Sequence, residues 1–167
     1  MRAQLLAVTI FAATLTSGAL AQQPATTQYM SEKDIIALIE KAKADRKNDA
    51  PLVPEPILQL APYKAQLEYR PLKAPAALHE KDAEVFVVLQ GAGDIIVGGK
   101  LVNEKRVNAA NLTGTDIADG QTHHVTHGDM LIVPNNTPHQ VIPTGGAPIV
   151  LMTMHVPDPP AGWPPAN

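Results

Sequence analysis

From Ile57 onward the chain is cut into short runs of strand-forming residues, and this punctuation constrains the fold more than any other feature. The runs cover residues 57 to 61, 64 to 70, 84 to 89, 94 to 99, 122 to 126, 129 to 134, 139 to 143 and 149 to 156. Turn residues separate nearly all of them: Gly91 and Gly93, Gly98-Gly99, Gly120, Gly128, Asn135-Asn136 and Gly145-Gly146. Many short strands at this spacing favour an all-β sandwich or barrel over a parallel α/β sheet. The polar stretch from Lys100 to Gly120 breaks the rhythm and reads as a hairpin excursion or as a loop over one end of the barrel. Within it, Asn111-Leu112-Thr113 matches a glycosylation acceptor, a three-residue pattern too common to carry weight.

Ahead of the strands the pattern differs. Residues 1–21 place Arg2 before an apolar run that ends in Ala19-Leu20-Ala21, the layout of a secretory signal peptide with a small-residue cleavage site. Its polar interruptions make it a weak membrane span; an uncleaved anchor would leave the same domain tethered outside the cytoplasm. Residues 22–55 then form a polar leader and one helix. Ser31 with Asp34 reads as a capping box, and Ile35, Ile36, Leu38, Ile39 and Ala42 fall at helical spacing. Asp49 and prolines 51, 54 and 56 stop the helix. The barrel is expected over 56–156, followed by a proline-rich tail over 157–167. In that tail Trp163, the only tryptophan, is expected to dock on the domain's own surface or to mediate a subunit contact.

Residues 22–167 suffice for one domain with a real core. The net charge of −3, one unit more negative once Arg2 is removed, gives no electrostatic reason to expect nucleic acid or an anionic membrane as partner. There are no cysteines, so thiolate chemistry and cysteine metal sites are excluded and stability rests on packing or a bound ion. No GxSxG elbow or phosphate-cradling glycine loop occurs either, which makes nucleophilic catalysis a poor fit. The polar content of the strand region stands out instead. Histidines 79, 123, 124, 127 and 139 lie in the strand region, and imidazole with carboxylate suits Zn, Fe, Ni or Mn.

Two segments resemble the cupin superfamily. Glu84-Val-Phe-Val-Val-Leu-Gln-Gly91 is similar to the second half of the first cupin motif, a glutamate and, after six intervening residues, a glycine. Gly128-Asp-Met-Leu-Ile-Val-Pro134-Asn-Asn-Thr-Pro138-His139 resembles the second motif, with a histidine five positions beyond the first proline. The resemblance implies a small cupin-type β-barrel, a double-stranded β-helix or jelly roll. In metal-binding members two histidines and a glutamate of the first motif join one histidine of the second. Glu84 and His139 match directly. At the two histidines of the first motif the chain departs from the pattern. With His79 as the second, the first falls on Ala77, which cannot ligate; with His79 as the first, Lys81 takes the second place.

The resemblance thus implies a divalent transition metal, Fe, Zn, Mn or Ni, on three ligands, His79, Glu84 and His139. Alternation along 84, 86 and 88 puts the Glu84 carboxylate on the face of Phe86 and Val88, where it needs a cation or strong donors. Either a metal or Lys81 could supply that charge. Phe86 is expected to wall a substrate pocket. His123 shares the parity of Val125, so it either faces the same pocket and contacts substrate or is an ordinary strand histidine; His124 should face solvent. His155, in the terminal apolar strand, reads as a core or edge residue, and Glu80 and Asp82 as solvated turn residues around His79. Two functions follow: a periplasmic or secreted cupin that uses the metal on a small organic molecule, or a metal-free module that binds a small-molecule ligand. Strand edges of small barrels are often covered by a partner, so a homodimer is compatible with either.

Overall fold

The computed structural model describes residues 27–159. The expected signal peptide and most of the proline-rich tail, including Trp163, lie outside the described residues. Among the described residues, no helix is long and apolar enough to cross a membrane.

The chain opens with α1, Glu32–Asp45, and its start is the expected one. Ser31 accepts from the Asp34 amide at 3.2 Å while the Asp34 carboxylate accepts from the Ser31 amide at 3.0 Å, so two otherwise orphaned donors are satisfied reciprocally. Thirteen strands follow: β1 Val53–Leu60, β2 Tyr63–Arg70, β3 Ala76–His79, β4 Asp82–Gln90, β5 Ala92–Val97, β6 Lys100–Val102, β7 Lys105–Arg106, β8 Asn111–Gly114, β9 Asp116–Ala118, β10 Gln121–Thr126, β11 Met130–Val133, β12 His139–Pro143 and β13 Ile149–Pro157.

They form two large antiparallel sheets, ordered β1-β2-β13-β4-β11 and β10-β5-β12-β3-β8-β7, with β6 and β9 as a separate hairpin. From β3 to β5 and again from β10 to β13 the chain alternates between the two sheets, which is the winding of a double-stranded β-helix. The fold is the cupin jelly roll that the resemblance implied. Its inner faces enclose Phe86, Val88, Ile95, Val125, Val133, Val141, Ile149 and Leu151. At ~1.5–3 kcal/mol for each large apolar side chain taken out of water, this layer is the main favourable term in folding. The other face of the first sheet packs Leu67, Tyr69 and Val150 against Ile39 and Ala42 of α1.

Two local differences from expectation have physical causes. Strand β1 begins at Val53, through Pro54 and Pro56, because it is a sheet edge and proline's missing donor faces away from the ladder. Strand β3 was not anticipated: Ala76-Ala-Leu-His79 has no alternation to read, and pairing with β8 and β12 makes it a strand. The segment from Lys100 to Gly120 is the hairpin excursion, strands β6 to β9. At Gly91, between β4 and β5, φ is +84° and a Cβ would meet the Pro148 carbonyl oxygen at 2.4 Å, so the motif glycine cannot carry a side chain without moving backbone.

Candidate metal and ligand site

Four inward-facing polar side chains meet inside the barrel. Glu84 sits on β4, opposite His155 of β13. His139 opens β12 and lies opposite Ala77, while His79 closes β3 opposite Asn111 of β8. Glu84 and His155 therefore come from one sheet and His79 and His139 from the other. The ends of these strands are pinned. The Asn136 amide donates to the His79 carbonyl at 2.7 Å, and Glu80, just past His79, forms a two-pronged ion pair with Arg106. Glu80 is thus an anchored residue, where the sequence suggested a solvated one.

The geometry centres on one carboxylate oxygen. Glu84 Oε2 lies 3.0 Å from His139 Nε2 and 3.2 Å from His79 Nε2, and Oε1 lies 3.8 Å from His155 Nε2. The opposite nitrogens are occupied: His79 Nδ1 is 2.7 Å from Asn111 Oδ1, and His139 Nδ1 is 3.3 Å from the Thr137 carbonyl oxygen. Both partners accept there, so each Nδ1 carries a proton, and each Nε2 faces Glu84 as a donor when the ring is protonated and as a lone pair when it is neutral. In the neutral form the two lone pairs would repel the carboxylate, so either a proton or a metal ion must lie between each ring and Glu84.

Burial works against the Glu84 charge, but hydrogen bonds from His139 and His79 outweigh it and hold the carboxyl well below the usual carboxylate range. Burial likewise opposes a charge on His79, yet its bonds to Glu84 and Asn111 raise its pKa. At His155 burial prevails over the attraction of Glu84 and lowers the pKa, which keeps this imidazole neutral and available as a ligand. The site therefore holds one firm anion and imidazoles of unlike basicity.

The expected metal ligands His79, Glu84 and His139 all converge on the same carboxylate. His155, set aside in the sequence as a core or edge residue, joins them. The ligand atoms of His79, Glu84 and His155 lie within 4.8 Å of one another, a group that could hold a metal ion. Ligands bound at about 2.0–2.2 Å stand roughly 3 to 4.4 Å apart around one ion, a spacing that the trio comes close to. His139 stands outside the trio, though it keeps its contact with Glu84. Parity along β13 carried the missed signal: His155 shares the inner face with Ile149, Leu151 and Thr153.

Other expectations resolve differently. Lys81 is exposed and does not reach Glu84, whose ionic partners are histidines alone among the described residues. Phe86 is fully buried, its ring 5.6 Å from that of His139, so it seals the cluster from beneath instead of lining an open pocket. His123 does lie opposite Ile95 on the inner parity, but β10 is an edge strand and the side chain is exposed, apart from the cluster. His124 faces solvent as expected, 2.6 Å from Asp94. A cavity of 770 Å³ lined by Lys73, Asn103, Lys105 and Thr113 shares no residue with the cluster.

Comparison with known proteins agrees with this architecture. Residues 117–160, which carry β10 to β13 with His139 and His155, match the AraC-like ligand binding domain family. A double-stranded β-helix protein from Klebsiella pneumoniae superposes with a TM-score of 0.51 at 13% identity, covering 71% of this chain and 86% of that one. The cupin domain of Cnp3 from Schizosaccharomyces pombe gives 0.49 at 16% identity, covering 67% of this chain and 65% of that one, just under two thirds of its length. A cupin-2 protein from Shewanella frigidimarina gives 0.47 at 16% identity, covering 72% and 92%. Among curated proteins no match is found. The fold is of the cupin type, the match to the ligand-binding family model is confined to residues 117–160, and the barrel carries a candidate His/Glu metal site.

Proposed function

We propose that the chain is an exported cupin that holds a divalent transition metal on His79, Glu84 and His155, beside His139, and acts on a small organic molecule there. One observation carries this reading: His79, His155 and the buried Glu84 bring their ligand atoms within 4.8 Å of one another. Nitrogen with carboxylate suits Fe, Zn, Mn or Ni. When bound, such an ion supplies Lewis acidity toward a ligand oxygen. The protein's own part is to fix the imidazoles through Asn111 and the Thr137 carbonyl, to hold Glu84 ionised, and to exclude water with Phe86. Thr153 Oγ1, fully buried two residues before His155 and without a hydrogen-bond partner, is a spare donor and acceptor for a polar guest. The ligand-binding family matched over residues 117–160 supports a small-molecule partner. The leader pattern of residues 1–21 supports a periplasmic or secreted location.

A second reading, a metal-free small-molecule binder, draws on Ala77. It faces His139 across the ladder where the cupin pattern asks for a histidine, and protons on His79 and His139 suffice to balance Glu84. Metal titration into chelator-stripped protein separates the two. An ion at about 100 times its Kd stabilises by about 2.7 kcal/mol, so the melting temperature should climb with at least one of Fe, Mn, Ni and Zn. No shift with any of the four leaves the metal-free binder.

A further inference from the structure

The 770 Å³ cavity at the β7–β8 end of the second sheet shares no residue with the metal cluster, and the fold holds its walls in place. One wall is Lys73, Ala74 and Pro75, in the link from β2 to β3. Another is Thr113 to Thr115 at the end of β8, and the third is Asn103 and Lys105 of the excursion. Gln140 of β12, 1% exposed, ties the first two together: its Nε2 donates to the Ala74 carbonyl at 2.9 Å and to the Thr115 carbonyl at 3.4 Å. Its Oε1 is buried without a hydrogen-bond partner, so this amide braces the walls while its own acceptor stays unsatisfied.

The third wall is clamped in the same way. The Thr115 amide donates to the Val102 carbonyl at 2.9 Å, and Asn103 Nδ2 donates to Thr115 Oγ1 at 3.0 Å. A Cβ on Gly114 would meet the Val102 carbonyl oxygen at 2.7 Å, so the excursion lies directly on β8. Cross-links between segments this far apart in sequence shape the cavity before a ligand arrives, which lowers the ordering cost of binding.

The lining chemistry is selective. No carboxylate lines the cavity. Lys73 is paired with Asp116 at 2.7 Å, whereas Lys105 has no ion-pair partner among the described residues. On a chain whose net charge is −3, that leaves one unopposed cation at the cavity. Thr113 Oγ1 donates to the Ala76 carbonyl at 2.9 Å and keeps its lone pairs to accept, and Asn103 Oδ1 is likewise open as an acceptor. Ala74 and Pro75 add apolar contact.

We propose that this cavity binds a small organic carboxylate that carries hydroxyl groups, with the carboxylate on Lys105 and the hydroxyls on Thr113 and Asn103. One unopposed cation selects a single negative charge, and open acceptors beside it select hydroxyl donors over a second anionic group. Ala74 and Pro75 receive the carbon skeleton. The volume lies within the range of about 300–1,000 Å³ usual for small-molecule sites. The site goes beyond the metal reading and does not depend on it.

The test uses the full-length protein stripped of metal, with gluconate and lactate as probes. Calorimetric titration should show binding by at least one of them at a Kd of about 1 mM or tighter, and backbone amide shifts should gather at Asn103, Lys105 and Thr113 to Thr115. Sorbitol, the uncharged counterpart of gluconate, should bind at least about tenfold more weakly than gluconate. Lys105→Gln should weaken binding about tenfold with unchanged circular dichroism, while Lys100→Gln, an exposed cation outside the lining, should leave it intact. No binding of either probe at about 10 mM overturns the proposal. So does binding that sorbitol matches or Lys105→Gln leaves intact, or amide shifts that gather at His79, Glu84 and His155 instead.

Discussion

Asn111 Oδ1 accepts a hydrogen bond from His79 Nδ1 at 2.7 Å across the β3–β8 ladder, thirty-two residues apart in sequence. The amide fixes which nitrogen of His79 carries the proton and aims the other at Glu84. Asn111→Leu removes that orientation without touching the carboxylate. Loss of such a supporting hydrogen bond costs about 10–100-fold in metal affinity, and calorimetric titration of the variant should show it. Unchanged affinity would mean that packing alone orients the ring.

Glu84 is 3% exposed and faces imidazoles from three strands. In the metal-free protein Glu84→Gln leaves protonated imidazoles without their counter-charge, and breaking a buried pair in this way costs about 3 kcal/mol. Denaturant unfolding of wild type and variant in the presence of chelator measures it. A neutral outcome would show that the histidines simply lose their protons when the carboxylate is gone.

The basicity of His79 gives a pH signature. Its folded pKa lies above the ordinary 6.5, so its contribution to the stability of the metal-free protein is fully present below 6.5 and is lost as pH rises through the raised value. Glu84 has the opposite sign: its contribution is present above its ordinary 4.5 and lost as pH falls through its lowered value. The stability difference between wild type and His79→Gln should therefore shrink as pH rises above 6.5 and through the raised value. A difference independent of pH contradicts the ion pair. With metal present the trend reverses, because ligation needs the deprotonated ring.

Phe86 seals the floor of the cluster and is fully buried. Phe86→Ala should cost about 3–5 kcal/mol in thermal or denaturant unfolding, from lost transfer energy and the cavity left behind. A much smaller loss would mean that the barrel collapses around the gap.

The capped helix, the strand from His139 to Pro143 and the burial of Glu84 were legible because each rests on local chemistry: a side chain that caps, a period of two, a carboxylate in an apolar run. The ligand set was only partly legible. His79 was visible through its spacing from Glu84, but β3 is made a strand by its neighbours and not by its own four residues. His155 lay in a strand whose parity was readable, yet only the register of β13 on β4 places it opposite Glu84. Asn111 was hidden in a polar excursion, because its role depends on a pairing that no local pattern encodes. Alternation put His123 on the inner parity, and the edge position of β10 left it exposed all the same.

The central claim is that this cluster holds a metal ion. The most direct measurement is elemental analysis of the full-length protein purified without added metal or a histidine tag, beside Glu84→Gln and His155→Ala. Near-stoichiometric Fe, Zn, Mn or Ni is expected in the wild type, little in Glu84→Gln and a clear reduction in His155→Ala. Wild-type protein that stays metal-free after incubation with all four ions, or metal content indifferent to both substitutions, would contradict it.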